Sequence, residues 1–301
     1  MPPRLTAQDF DQDLLILFDA YVHGAVDRRG FLEKAQRFAK AGVTAAGLLA
    51  ALSPDFAMGQ QVKPDDGRLR TGFEAVPSPN GHGSIRGYWA RPASAGARKL
   101  PAVLVVHENR GLNPHIEDIT RRLALEGYMA FAPDALTSRG GYPGDEDKAR
   151  EAFGTLDQPK VRQDFLASAQ WLQARADVDG ALGATGFCWG GGIVHWLATQ
   201  PQAVALRAGV PFYGNTPAPQ EAAKVKAPLL VHLAGIDERI NAPWPAYEAA
   251  LKAAGVKVET HQYAGTQHGF HNDTTPRYDA AAAKQAWDRT TGFLKAHLQT
   301  A

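Results

Sequence analysis

Thr185-Gly186-Phe187-Cys188-Trp189-Gly190-Gly191-Gly192 joins an apolar run, Leu182 to Phe187, to a helical pattern, Gly191 to Ala198. A strand that turns sharply into a helix and carries a nucleophilic side chain at the bend is a nucleophile elbow, here with cysteine in place of serine. The spacing has a steric reason. Side chains two positions before and after the bend would collide with the neighbouring strand and helix, so Gly186 and Gly190 are required there. The thiol would stand at a helix N-terminus, where free N–H groups and the helix dipole favour a thiolate. A buried, inert cysteine in a glycine-rich turn is the bland alternative.

Outward from this bend the chain alternates. Continuous apolar runs at Ala102 to Val106, Tyr128 to Ala132, Ala205 to Phe212 and Pro228 to Leu233 read as strands buried on both faces, with Lys257 to Tyr263 as one more. Between them, Ile116 to Glu126, Val161 to Ala174, Trp244 to Ala254 and Ala280 to His297 have helical spacing. Ahead of them, Gly72 to Val76 and Ser84 to Arg91 read as two short strands joined by a Pro-Asn-Gly turn. The pattern predicts an α/β chain with a mostly parallel, doubly wound sheet and helices on both faces. Ligands then bind at the carboxyl ends of the strands.

A thiol has an ordinary pKa of about 8.5 and needs a base or a positive field to ionise at neutral pH. His268 is the candidate, in Gly265-Thr266-Gln267-His268-Gly269-Phe270 directly after the last predicted strand. Asp237 follows the preceding strand, with Glu238 as a weaker competitor. The order Cys188, Asp237, His268 is that of α/β-hydrolases. Taken singly, His268 could stabilise a loop and Asp237 could cap a helix.

With Val106-His107-Glu108-Asn109-Arg110-Gly111, Pro211-Phe212-Tyr213-Gly214, Asp237 and His268-Gly269-Phe270, the elbow resembles the dienelactone hydrolase (carboxymethylenebutenolidase) family of the α/β-hydrolase superfamily over roughly residues 70 to 298. The resemblance implies a Cys188-His268-Asp237 triad and an oxyanion hole from the N–H groups of Trp189 and Asn109. It also implies that Glu108 holds the resting thiol and helps to generate the thiolate when substrate binds; the alternative is that Glu108 only pairs with Arg110 or a neighbouring arginine. Family members acting on dienelactone grip its carboxylate with basic residues. Arg139 could match one of these, but the chain reads His268-Gly269-Phe270-His271-Asn272-Asp273 where a second arginine is expected. That departure puts dienelactone itself in doubt. His271, Tyr142 and Tyr213 are further candidates for substrate contact.

The expected activity is therefore hydrolysis of a small ester or lactone through a thioester acyl-enzyme. Two rivals stand beside it: attack of the same triad on a phosphotriester, and a non-catalytic exported protein whose thiol senses redox state or binds a ligand. No cofactor or metal is expected, because a single cysteine excludes multi-thiolate zinc sites, no His-Glu-x-x-His occurs, and the glycines form neither a phosphate loop nor a dinucleotide fingerprint. His107, His195 and His232 read as satisfied core histidines.

The 301 residues are 45% hydrophobic and 21% charged, which excludes a disordered or low-complexity chain. Lys plus Arg (32) nearly balances Asp plus Glu (31), with no basic block, so nucleic acid is not an expected partner. No apolar run reaches the roughly 18 residues of a membrane span. Residues 67–301 are assigned to the catalytic domain and 1–66 to an N-terminal extension. Arg28-Arg29-Gly30-Phe31-Leu32, the small and apolar stretch Ala41 to Leu52, and Ala57-Met58-Gly59 before Gln60 resemble a twin-arginine export leader, which would place the protein in the periplasm. Equally, Asp13 to Ala20 and Phe31 to Leu52 have helical spacing. They could then form an arm retained by a cytoplasmic protein, packed on the body or on the second subunit of a homodimer.

Overall fold

The computed structural model describes residues 4–40 and 42–299. Ala41, within the stretch read as a leader core, lies outside these, as do residues 1–3 and 300–301 at the ends of the two assigned segments.

Eight strands form one sheet: β1 (Leu69–Ser78), β2 (Gly83–Pro92), β3 (Leu100–Val106), β4 (Met129–Pro133), β5 (Val178–Phe187), β6 (Leu206–Phe212), β7 (Leu229–Ile236) and β8 (Val258–Gln267). Their spatial order is β1-β2-β4-β3-β5-β6-β7-β8. The β1–β2 and β2–β4 pairs are antiparallel and the others parallel. The continuous apolar runs follow from burial on both faces. In β3, Val103 and Val105 enter the core beneath α5 (Pro114–Leu125) and α11 (Ala280–Leu298). Ala102, Leu104 and Val106 enter the opposite core, with α6 (Glu146–Gly154), α7 (Gln158–Gln173) and α8 (Trp189–Ala198). α9 (Glu238–Asn241) follows β7, and α10 (Trp244–Ala253) covers its end of the sheet through Trp244, Tyr247 and Leu251. Each fully buried Leu or Phe of these layers contributes about 1.5–3 kcal/mol.

α6 has no counterpart among the sequence-predicted helices. Only Ala149 and Phe153 are buried in it, so its apolar signal is weak, and the Asp145 carboxylate starts it by accepting from the N–H of Lys148 (2.8 Å).

The N-terminal residues form α1 (Gln12–Val22), α2 (Arg28–Ala35), α3 (Ala45–Leu52) and a single turn, α4 (Phe56–Gly59). The one helical pattern expected over Phe31 to Leu52 is broken in two. Gly42 adopts φ 87°, and the Thr44 hydroxyl caps α3 by accepting from the N–H of Gly47 (3.0 Å). Leu14, Phe18, Tyr21, Phe31, Leu49 and Leu52 close an apolar cluster separate from the two faces of the sheet. Among the described residues, no helix is long and apolar enough to cross a membrane.

Candidate active site

The sheet register assembles the site. Phe187 pairs with Phe212, so Cys188 and Tyr213 are the next residues of neighbouring strands. Ile236 pairs with Gln267, so Asp237 and His268 emerge side by side. Cys188 is held at φ 55°, ψ −118°, a strained conformation for a non-glycine residue. A Cβ on Gly186 would stand 2.4 Å from the Gly190 carbonyl oxygen, and one on Gly190 would stand 2.4 Å from that of Val106. The N–H of Cys188 donates to Phe212 (3.0 Å), while that of Trp189, at the first helical position of α8, has no intrahelical acceptor. The thiol is 6% exposed.

His268 donates from Nδ1 to Asp237 Oδ2 (2.5 Å), and both side chains are buried. The Nε2 of His268 has no hydrogen-bond partner among the described residues. Glu238 is exposed and begins α9, leaving Asp237 as the partner of the imidazole.

A second imidazole meets the sulfur, from a residue that sequence reasoning passed over. His23, at the end of α1, places Nε2 3.3 Å from Cys188 Sγ. Its Nδ1 lies 2.8 Å from the carbonyl oxygen and 3.2 Å from the carboxylate of Asp19. The His23 and His268 rings meet edge to face at 4.7 Å. The signal in the sequence was an Asp-x-x-x-His spacing closing an amphipathic helix, hidden because the helix lies in the segment read as a leader or arm.

Burial opposes a thiolate, but the charges of His268 and then His23 outweigh it and bring the Cys188 thiol down to about 6. Burial likewise opposes protonation of His268, yet the thiolate and Asp237 raise its imidazole to about 10. His23 is raised despite burial, by the thiolate and by Asp19. The sulfur and one nitrogen from each imidazole lie within 4.8 Å of one another, the one such compact grouping of metal-capable side chains among the described residues. Arg239 Nη2 lies 3.1 Å from His23 Nε2, and a permanent positive charge there works against a bound cation.

Cys188 and His268 open into a cavity of about 50 Å³ whose walls include Phe18, Tyr21 and Val22 of α1, Glu108, Asn109 and Arg277. It is far below the roughly 300 Å³ of a typical small-molecule pocket, because the N-terminal helices fill it. Glu108 faces the cavity and accepts from Asn272 Nδ2 (3.0 Å). The alternative pairing of Glu108 with Arg110 is not what forms. Arg110 donates to Asn109 Oδ1 (2.8 Å) and Val22 O (3.2 Å) and lies 3.7 Å from Glu146. Asn109 Nδ2 also donates to Val22 O (2.9 Å).

The candidates for substrate contact separate. Tyr213 is buried, with its ring 4.9 Å from that of His268. None of the four candidates is on the wall of the cavity beside the thiol. Arg139 is exposed and donates to the Thr155 carbonyl (3.0 Å), and the Tyr142 hydroxyl donates to Glu146 (2.8 Å). His271 stacks on Phe187 at 5.3 Å, and burial lowers its imidazole to about 3. No arginine stands just after His268, but Arg277, nine positions on, is buried and on the cavity wall, 3.3 Å from Asp19. Two of the core histidines are satisfied. His107 accepts from the N–H of Ala135 (3.0 Å), and His232 meets Thr290 (3.1 Å) and Tyr263 (3.0 Å). His195 differs: neither ring nitrogen has a partner among the described residues, and burial lowers it to about 3.

Residues 85–298 match the family model described as "Dienelactone hydrolase family". The chain belongs to the dienelactone hydrolase family. A relative from Escherichia coli O157:H7, "Putative carboxymethylenebutenolidase", is 37% identical over 251 residues, covering 77% of this chain and 89% of that protein. Among solved structures, the "Putative Dienelactone Hydrolase" of Klebsiella pneumoniae subsp. pneumoniae MGH 78578 is 30% identical with a TM-score of 0.66, covering 75% of this chain and 98% of that one. The fold is shared with the dienelactone hydrolase-like promiscuous phosphotriesterase P91 from metagenomic libraries, at 22% identity and TM-score 0.63. A separate family model, "YqhI-like", matches residues 1–40, which include α1 and His23. As a member of this family of hydrolases, the chain adds its N-terminal helices to the family's sheet.

Proposed function

We propose that this dienelactone hydrolase family member cleaves a small ester or lactone through a Cys188 thioester. The observation that carries the reading is a lone thiol on a strained elbow facing His268, whose other nitrogen is tied to buried Asp237. The thiolate adds to the carbonyl carbon, and the tetrahedral oxyanion lies within reach of the N–H groups of Trp189 and Asn109. Collapse expels the alkoxide, which takes the proton from His268 Nε2. Water then gives a proton to the same nitrogen as it attacks the thioester, releasing the acid and restoring the thiolate. Asp237 keeps Nδ1–H in place throughout. Glu108, across the same cavity, is assigned the thiol in its protonated form, which grows as pH falls through about 6, and the assistance of its ionisation when substrate binds.

The ionisation states set a pH window. The thiolate is lost as pH falls through about 6, and the His268 proton is lost as pH rises through about 10. A plot of kcat/KM should therefore rise through about pH 6 and fall near pH 10, and a single rise near pH 8.5 would contradict the pairing.

Arg277 and Arg110 give the cavity two guanidinium groups, so a substrate that carries a carboxylate fits it better than a neutral one. Arg277→Gln is expected to raise KM for a carboxylate-bearing aryl ester by about tenfold, with little change for the uncharged ester, the size of one charge-assisted hydrogen bond. Equal effects on both esters would remove the assignment.

The deciding experiment is intact-mass analysis after incubation with an activated ester. The expected result is one acyl group on Cys188 that accumulates in Asp237→Asn; no adduct, or one elsewhere, rejects the mechanism. A phosphotriester in parallel tests the rival chemistry, with a stable phosphoryl adduct and no turnover as the result for an esterase.

The extension is read as part of the working chain: Gly59 is buried and its carbonyl accepts from Arg122 (3.1 Å), next to the bond that leader cleavage would break. N-terminal sequencing of protein from its native host should find a start before Asp11, and a start at Gln60 would establish export instead.

A further inference from the structure

The N-terminal helices close their own apolar cluster, turn Phe18, Tyr21 and Val22 toward the cavity, and are tied to the body by several polar contacts. Asp19 faces Arg277 (3.3 Å), Arg28 faces Asp147 (2.5 Å) with the Tyr21 hydroxyl on the same carboxylate, and the Val22 carbonyl accepts from Asn109 and Arg110. An apolar interior of its own, held down by separable polar contacts, is the composition of a part that can lift as a unit. A cavity of about 50 Å³ requires that it does so before an ester can enter. At the point of contact with the nucleophile stands His23.

We propose that His23 is a positioning residue for the nucleophile: its imidazolium shares the Cys188 thiolate with His268, so the thiol is fully ionised only while the N-terminal helices are docked. The proposal rests on the esterase reading for its catalytic consequence, but not for its test. Ionisation hands the thiol proton to the pair of imidazoles, and no other reactant is consumed. Four groups face His23. Asp19 of its own helix orients Nδ1, Cys188 of the elbow lies at Nε2, His268 after β8 stands edge-on, and Arg239 of α9 approaches Nε2 at 3.1 Å. Glu108 and Arg110 share the cavity with the sulfur, and Arg277 pairs with Asp19. Arg239 offers a competing arrangement, since a neutral His23 would accept from it. Arg239 is exposed and can turn to water at little cost, whereas the thiolate is buried and cannot. The imidazolium is the form that answers the sulfur. The lowered thiol pKa, to which His23 contributes directly after His268, agrees with this.

Docking then links two events. When the helices lift, His23 leaves the sulfur and Asp19 leaves Arg277, so the thiolate passes to His268 alone as the buried guanidinium becomes free for an incoming anion. The resting nucleophile is held ionised, yet covered, until a substrate competes for its place.

Cys188 is the only cysteine, so alkylation by iodoacetamide followed by intact mass reports that thiol alone. In the wild-type chain the rate should rise with a midpoint near pH 6. In His23→Gln the midpoint should move up by about one pH unit or more, lowering the thiolate fraction at pH 6 by about fivefold or more. Asp19→Asn leaves the imidazole in place but removes its carboxylate, and should move the midpoint in the same direction by less. A faster plateau in either variant reports access, while the midpoint reports ionisation. An unchanged midpoint in His23→Gln with a native circular dichroism spectrum overturns the proposal, leaving His23 as a neutral plug. If His23→Gln does not fold, Asp19→Asn decides: an unshifted midpoint there overturns it equally. A shifted midpoint in a protein that hydrolyses no ester would sink the esterase reading and leave this one standing.

Discussion

Cys188→Ala should lower kcat/KM for an activated ester by at least about 10⁴-fold, close to 5.5 kcal/mol of transition-state stabilisation. The figure follows from what remains. Without sulfur there is no acyl-enzyme, and the oxyanion donors and binding contacts alone leave a residual rate over water. Because alanine keeps a Cβ in the strained φ 55° position, the elbow and its bond from the Cys188 N–H to the Phe212 carbonyl oxygen persist. Thermal stability should therefore change little while activity disappears. Cys188→Ser is the sharper comparison. Its hydroxyl keeps a proton that His23 and His268 cannot hold away from it at neutral pH, so the serine variant should retain a small activity and lose the rise near pH 6. An alanine variant with wild-type turnover would remove the thiol from the mechanism altogether.

Gly190→Ala should destabilise the protein by about 3 kcal/mol or more, lowering Tm by about 5 °C or more. The added methyl would meet two backbone carbonyls, Val106 O at 2.4 Å and His107 O at 2.5 Å, and neither can rotate away. Relief requires α8 to move off the end of β3, which also displaces the loop carrying Glu108 and Asn109. Activity should fall with stability, since that loop lines the cavity. Gly292→Ala is the control. It lies inside α11 with nothing within 4 Å of the added carbon, so it should be neutral or stabilise by up to about 1 kcal/mol. Calorimetry of the pair checks the steric argument, and equal Tm values for the two variants would refute it.

Much of this molecule was legible in one dimension because the underlying constraints are local. A strand buried on both faces must be continuously apolar, as in Ala102 to Val106, and a tight bend must have glycine two positions either side of its apex. Those two facts determined the parallel sheet, the place of Cys188, and the strand ends from which Asp237 and His268 come. The register of β7 against β8 then made the acid and the base neighbours, a pairing that chain order already implied. The break in the helical pattern after Phe31 was less visible. It depends on a positive φ at Gly42 and a hydroxyl cap at Thr44, short-range choices that apolar periodicity does not record.

What the tertiary structure alone decided lies across long separations. His23 is 165 positions from the sulfur it touches and Asp19 is 258 from Arg277, so no spacing rule joins either pair. His271 is three positions from His268 yet stacks on Phe187 in the core, and Arg139 and Tyr142, in the segment after β4, are taken up by Thr155 and Glu146. The sequence could single out Cys188, Asp237 and His268 as candidates from the shape of one bend and the ends of two strands, and the fold brings the three together. The cover over the site was settled only by which surface the first fifty residues found to pack against, a choice made by many weak contacts acting together.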